Sequence, residues 1–194
     1  MQISTLNANQ RSARPVPPAG ADVDLLAIAA VAREAAQWRG LNAQDLDRMV
    51  AARLYDRGVA NVDAQAVGFL STLLAEGAMD DVESGGDPTI RLSAEELALV
   101  GTVALEAVEN ARRYASPPGR ALKVWVKIER SEARVRLSIR DNGMGMIDLS
   151  PDPMRGRGLI AAVAERLNGF ARLGAAHFGG AMVVLTFTPN AKGA

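Results

Sequence analysis

The strongest constraint on the fold is a helix whose two ends are both written in the sequence. Ser93 stands three residues before Glu96, the capping-box spacing that starts a helix, and the apolar-rich run that follows reaches about Ala115 before Ser116-Pro117-Pro118-Gly119 stops it. A helix this long must lie against something broad. Two segments of period two follow it, 122–129 and 133–140, separated by the turn-like Arg130-Ser131-Glu132, and they predict a hairpin. A loop rich in Gly and Pro over 141–157, a helix over 158–167 and strands over 169–175 and 181–188 complete the C-terminal half. With a short strand at Thr89-Ile90-Arg91-Leu92, the order predicts an α+β fold, a two-layer α/β sandwich with helices on one face of a mixed sheet.

The N-terminal half reads as helices. Leu25, Leu26, Ile28 and Val31 recur at near-helical spacing up to Gly40, and Leu46, Met49, Val50 and Leu54 form a second stripe ending near Gly58. A third helix is expected from about Asp63 to Met79, broken by the acidic, glycine-containing stretch 80–87. The division expected is a flexible leader over 1–20, a helical hairpin over 21–60 and a larger domain over 61–194. Two short antiparallel helices cannot hide their own apolar faces, so the rest of the chain or a second copy must cover them. A homodimer through a four-helix bundle is the expected answer.

Composition excludes several classes. The 194 residues contain no cysteine and one histidine, His177, which removes disulfides, thiol catalysis and Cys- or His-rich metal sites. Lys and Arg number 22 and so do Asp and Glu, so no global field favours nucleic acid or an anionic membrane. No apolar run approaches the roughly 20 residues that span a bilayer, and the leader has no apolar signal-peptide core, so a cytoplasmic location is expected.

Three segments carry chemistry. Near the end of the long helix, Glu106 and Asn110 share a face and Arg113 lies nearly a turn farther on. That face offers a carboxylate that could polarise a nucleophile, an amide oxygen suited to Mg²⁺ and a cation suited to phosphate. It could equally be a solvated helix face. Asp141-Asn142-Gly143-Met144-Gly145 follows a strand, and its Asp could accept from an exocyclic amino group such as adenine's while the glycines let backbone approach the ring. An ordinary turn would read the same way. Gly156-Arg157-Gly158-Leu159 opens a helix whose amides could hold phosphate, or could simply cap it.

Taken together and in this order, the three segments resemble the N, G1 and G2 boxes of the GHKL (Bergerat-fold) ATPases, the superfamily of histidine kinases, gyrase-type ATPases and anti-sigma-factor kinases. The resemblance spans about 89–188 and implies ATP and Mg²⁺ as cofactors. It implies that Asn110 chelates the metal, Asp141 reads adenine, and Gly143, Gly145, Gly156, Gly158 and Leu159 line the nucleotide, with Glu106 and Arg113 as catalytic groups. The chain departs from the pattern in a short lid over 146–156 without phenylalanine, and in Gly180-Ala181 where the last box usually has Gly-Thr.

The segment from Leu25 to Arg33 is similar to the first dimerisation helix of HisKA_2 and HWE sensor kinases, but Gly20 to Asp24 stand where those kinases carry their phosphoacceptor His and its Arg-x-x-Asn. The resemblance therefore implies a degenerate sensor-kinase core in a two-component phosphorelay, without autophosphorylation in cis and with a response regulator as partner. An anti-sigma-type serine kinase acting on a sigma factor, and a non-catalytic nucleotide-gated interaction module, are the alternatives.

Overall fold

The structure is a computed structural model that describes residues 23–37, 42–76, 81–115, 119–145, 157–176 and 179–190. In chain order its elements are α1 (Val23–Gln37), α2 (Ala43–Asp56), β1 (Asp63–Gln65), α3 (Ala66–Glu76), β2 (Val82–Gly86), β3 (Arg91–Ser93) and α4 (Ala94–Tyr114). Then come β4 (Val124–Ser131), β5 (Arg134–Asp141), α5 (Arg157–Arg166), β6 (Phe170–Ala175) and β7 (Ala181–Phe187). The expected leader, the lid, Gly156 and His177 lie outside the described residues.

Strict alternation sets the inner face of the five-stranded sheet, whose order is β2-β4-β5-β7-β6. Val124, Val126 and Ile128 on β4 register with Asp141, Ile139 and Leu137 on β5, and Val135, Leu137 and Ile139 register with Phe187, Leu185 and Val183 on β7. All these side chains are buried or half-buried and point to one side, where α3 contacts β2, α4 contacts β4 and β5, and α5 contacts β6 and β7. The sheet is antiparallel except for the β2–β4 pair.

The capping box at the head of α4 is formed: the Ser93 hydroxyl accepts from the Glu96 amide at 3.3 Å and the Glu96 carboxylate accepts from the Ser93 amide at 2.9 Å. The other Glu96 oxygen accepts from the Asn190 amide at 2.7 Å, tying the segment after β7 to the start of the central helix.

A third layer was not expected. Helix α1 lies along α4, and α2 packs on α5 and α4, so α4 is enclosed between the sheet and α1. Every residue from Leu97 to Ala104 is buried, which a helix with one solvated face could not achieve. The closest approach is at Gly101, where an added Cβ would lie 2.9 Å from both Leu73 and Phe69 and 3.0 Å from the Cβ of Ala32. The absence of a side chain there lets α1, α3 and α4 meet.

This layer supplies from within the chain much of the cover that the four-helix-bundle dimer was expected to give. Ile28, Val31, Leu46, Val50 and Leu54 are covered within the chain, and they belong to the same core as Leu97, Val103 and Phe187. Contacts with α3, α4 and α5 cover these residues, while Leu25 and Leu26 of the same stripe stay half-buried.

Two boundaries also shift. The helix expected from Asp63 begins only at Ala66, because Asp63–Gln65 pair antiparallel with Arg91–Ser93 as a separate two-stranded ribbon. The stretch 80–87 is more than a breaker: Val82–Gly86 form the edge strand β2. Their sequence offers little strand pattern, and pairing with β4 defines them. Gly86 ends the strand at φ +144°, where a Cβ would fall 1.9 Å from the Ile128 carbonyl oxygen.

Candidate functional site

Asp141 is the last residue of β5, and it continues the inward alternation of Val135, Leu137 and Ile139. Its carboxylate is therefore delivered to the rim of the core on the helix side, only 6% exposed. Backbone donors hold it there. The Gly143 amide donates to Oδ1 at 2.8 Å, and the Ala181 amide donates to Oδ1 at 3.1 Å and Oδ2 at 3.2 Å.

Glycine is required beside it. Gly180 adopts φ +84°, and a Cβ there would stand 2.0 Å from the Asp141 carbonyl oxygen and 2.8 Å from its Oδ1. A Cβ on Gly143 would lie 2.4 Å from both the Cβ and the carbonyl oxygen of Ala115. This loop is thus pressed against the residue that ends α4, and the Met144 amide donates to the Ala115 carbonyl at 3.0 Å. Asn142 fixes the other side by accepting from the Lys123 amide and donating to the Ala121 carbonyl, each at 2.9 Å. Sequence reading missed Gly180 and the Ala181 amide as parts of the site. The signal was present, since the Gly-Ala pair before the last strand was noted only for its lost hydroxyl.

At the C-terminal half of α4 the side chains sort by helical phase. Ala107, Val108 and Ala111 are buried, while Glu106 and Asn110 share another face. Glu106 is only 5% exposed, and its Oε1 accepts from Asn110 Nδ2 at 3.2 Å. That bond leaves the Asn110 Oδ1 as the amide's remaining acceptor. Arg113 is exposed, ion-paired to Glu109 at 2.7 Å and stacked beside Tyr114. Hydrogen bonding to Tyr114 and Glu109 raises its already high pKa. Arg112, on the opposite side, pairs with Asp81 at the start of β2 and holds that carboxyl below the usual range.

The structure brings Glu106 and Arg113 to one cleft of about 310 Å³ between the last turn of α1 and α4, walled also by Arg33, Ala36, Gln37, Leu105 and Glu109. Asp141 and Gly143 do not line it. The Asp141 end and the Glu106 end are joined through the final turn of α4, where Ala115 touches the Gly143 loop. Gly145 stacks near Gly180, 3.5 Å from its carbonyl oxygen by the position of an added Cβ. Gly158 is half-buried in the first turn of α5, and Leu159 is buried behind it.

The donor set suits a magnesium nucleotide. Among the described residues no group of three acidic, His or Cys side chains is gathered as a metal cage. Asn110 Oδ1 is a hard-oxygen acceptor that could take a Mg²⁺ ion, which favours few protein ligands beside phosphate oxygens and water. Asp141 retains acceptor capacity on Oδ2 for an exocyclic amino group.

No protein-family model matches the chain, and no curated protein matches it in sequence. Solved structures do. The histidine kinase domain of the Erythrobacter litoralis EL346 blue-light activated histidine kinase matches with TM-score 0.52 at 11% identity, over 85% of this chain and 94% of that one. A larger structure of the same kinase gives TM-score 0.54 at 14% identity, over 78% of this chain and 56% of its own. The ATP binding domain of PrrB from Mycobacterium tuberculosis gives 0.50 at 21% identity, over 68% of this chain and 99% of its own. The share matched by the first exceeds what residues 61–194 alone can supply, so that likeness runs into the preceding helices. The chain has the mixed α/β fold seen in histidine-kinase ATP-binding domains, with α1 and α2 packed on its helical face.

Proposed function

We propose that the chain is an ATP- and Mg²⁺-binding signalling module of histidine-kinase type, a degenerate sensor-kinase core that docks or acts on a partner in a phosphorelay. The observation that carries the reading is the buried carboxylate of Asp141, fixed by the Gly143 and Ala181 amides at the end of β5 and set against the last turn of the Glu106–Asn110 helix. Residues 61–194 form the nucleotide-binding part in this reading.

Each residue has a role that its surroundings support. Asp141 accepts from the adenine amino group, and Gly143 and Gly145 let the loop lie flat on the ring. Asn110 presents Oδ1 to the metal, which supplies charge neutralisation at the phosphates when bound. Gly158, with Leu159 buried behind it, offers α5 amides to phosphate oxygens; Gly156, outside the described residues, is assigned to the same phosphate site from its sequence position alone. Glu106, held by Asn110, is placed to polarise an attacking group, and Arg113 to meet phosphate charge once it leaves Glu109. The chain's one histidine, His177, lies outside α1 and α2, so the phosphoacceptor belongs to the partner, for which a response regulator is proposed.

Titration calorimetry with ATP, with and without Mg²⁺, tests the reading. Binding that depends on Mg²⁺ in the unmutated chain and loses that dependence in Asn110→Ala supports it; no heat at millimolar ATP refutes it. Labelled Mg-ATP should leave no acid-labile phosphate on the chain alone. Label on serine of an added sigma-factor regulator would favour the anti-sigma kinase reading instead.

A further inference from the structure

The side of the sheet turned away from the helices carries a different chemistry. Register places its side chains in three transverse rows. Glu129, Arg136, Thr186 and Phe170 form the first; Lys127, Ser138, Val184 and Arg172 the second; Glu83, Trp125, Arg140, Met182 and Gly174 the third. Arg134 extends the first row's edge along β5. Among the described residues no helix packs on this face, and Lys127, Arg134, Arg136, Phe170 and Arg172 are exposed.

Its two carboxylates are already engaged. Glu129 stands opposite Arg136 but pairs with Lys127 at 2.7 Å, and Glu83 pairs with Lys123 at 3.6 Å while accepting from the Trp125 indole at 3.1 Å. Arg134, Arg136 and Arg172 have no ion-pair partner among the described residues. A chain of zero net charge thus concentrates unmatched guanidinium groups on one flat surface.

We infer that this outer sheet face docks an acidic polypeptide segment of a partner protein. Two observations select a polypeptide over a nucleic acid. Arg134 and Arg172 lie over the Phe170 ring, 5.9 and 5.7 Å from its centroid, and Arg140 lies over Trp125 at 5.6 Å. The ring faces on which bases would stack are therefore occupied by cations, whose planar forks match carboxylates in bidentate geometry. Arg134 and Arg136 are also two residues apart on one strand, about 7 Å. An extended segment with acids at alternate positions repeats that spacing, so its carboxylates meet both.

A short labelled peptide in which Glu alternates with Thr, followed by fluorescence anisotropy at about 50 mM salt, where screening is weak, tests the inference against the full chain. The unmutated chain should bind, with affinity that falls as salt rises. Arg136→Glu/Arg172→Glu should weaken binding by at least about tenfold, as charge reversal of paired contacts does, while the thermal melt and the nucleotide titration stay unchanged. No peptide binding by the unmutated chain, or binding that survives the double reversal, overturns the inference. So does a labelled oligouridylate that binds the face more tightly than the peptide.

Discussion

The two ends of the candidate site are built from different materials. At Asp141 the carboxylate is held by main-chain amides of Gly143 and Ala181, in a place only 6% exposed and closed by glycines that admit no Cβ. At Glu106, Asn110 and Arg113 the groups are held by one another and by neighbours on the same helix, beside a cleft whose far wall is α1. Backbone contacts cannot be altered without moving strands. Side-chain pairs can exchange partners, as Arg113 must do to leave Glu109. The first end is therefore suited to recognising one rigid group, and the second to a reaction in which charge moves.

The largest effect should come from the wall of the second end. Deleting residues 1–58 strips α1 and α2 from α4; burial of Ile28, Val31, Leu46 and Leu54 contributes about 1.5–3 kcal/mol each, against a net domain stability of about 5–15 kcal/mol. The truncated chain should lose its cooperative melt by circular dichroism. A stable folded remnant would show that the two helices are an appendage. Gly180→Ala should be next, costing about 3 kcal/mol through its positive φ and the clash with Asp141, read as a lower denaturation midpoint. A cost near zero would mean that the Asp141 end is softer than its contacts imply.

Smaller effects are expected at the ion pairs of α4. Asp81→Asn tests the anchor of α4 at Arg112. Because the folded-state pKa of Asp81 lies below its ordinary value of 3.8, its contribution is complete above that value and disappears as pH falls through the lowered one. The melting temperatures of variant and wild type should differ at neutral pH and converge in acid; a difference that persists below the lowered pKa would deny the pairing. Arg113→Ala should change stability least, leaving the melting temperature close to that of the wild type, as loss of an exposed ion pair does, while slowing any phosphate transfer to a partner. A large loss of stability would make Arg113 structural.

Legibility followed how local each signal was. The α4 boundaries were readable because Ser93, Glu96 and Pro117 act through their immediate neighbours, and the β4–β5 hairpin because alternation is a property of each strand alone. Asp141 and Asn110 stood in segments whose types and order could be read together. Strand β2 was not readable: Glu83, Ser84, Gly85 and Gly86 have no strand preference, and β4 supplies their partner from some forty residues away. The coverage of α1 by α4 was hidden for the same reason. An apolar stripe states that it must be buried, never by what. Arg113 was placed near phosphate by phase, and its pairing with Glu109 depends on a rotamer that spacing leaves open.

The central claim is that Asp141 reads an amino group at a rigid, backbone-built end of the site. Titration of the full chain with Mg-ATP and Mg-GTP in parallel tests it most directly, since guanine places a carbonyl oxygen where adenine carries its amino donor. The account predicts that ATP binds at least about tenfold more tightly than GTP, the scale of one polar match in a buried site, and that Asp141→Asn narrows the difference. Equal affinity for the two nucleotides, or discrimination that Asp141→Asn leaves intact, would contradict it.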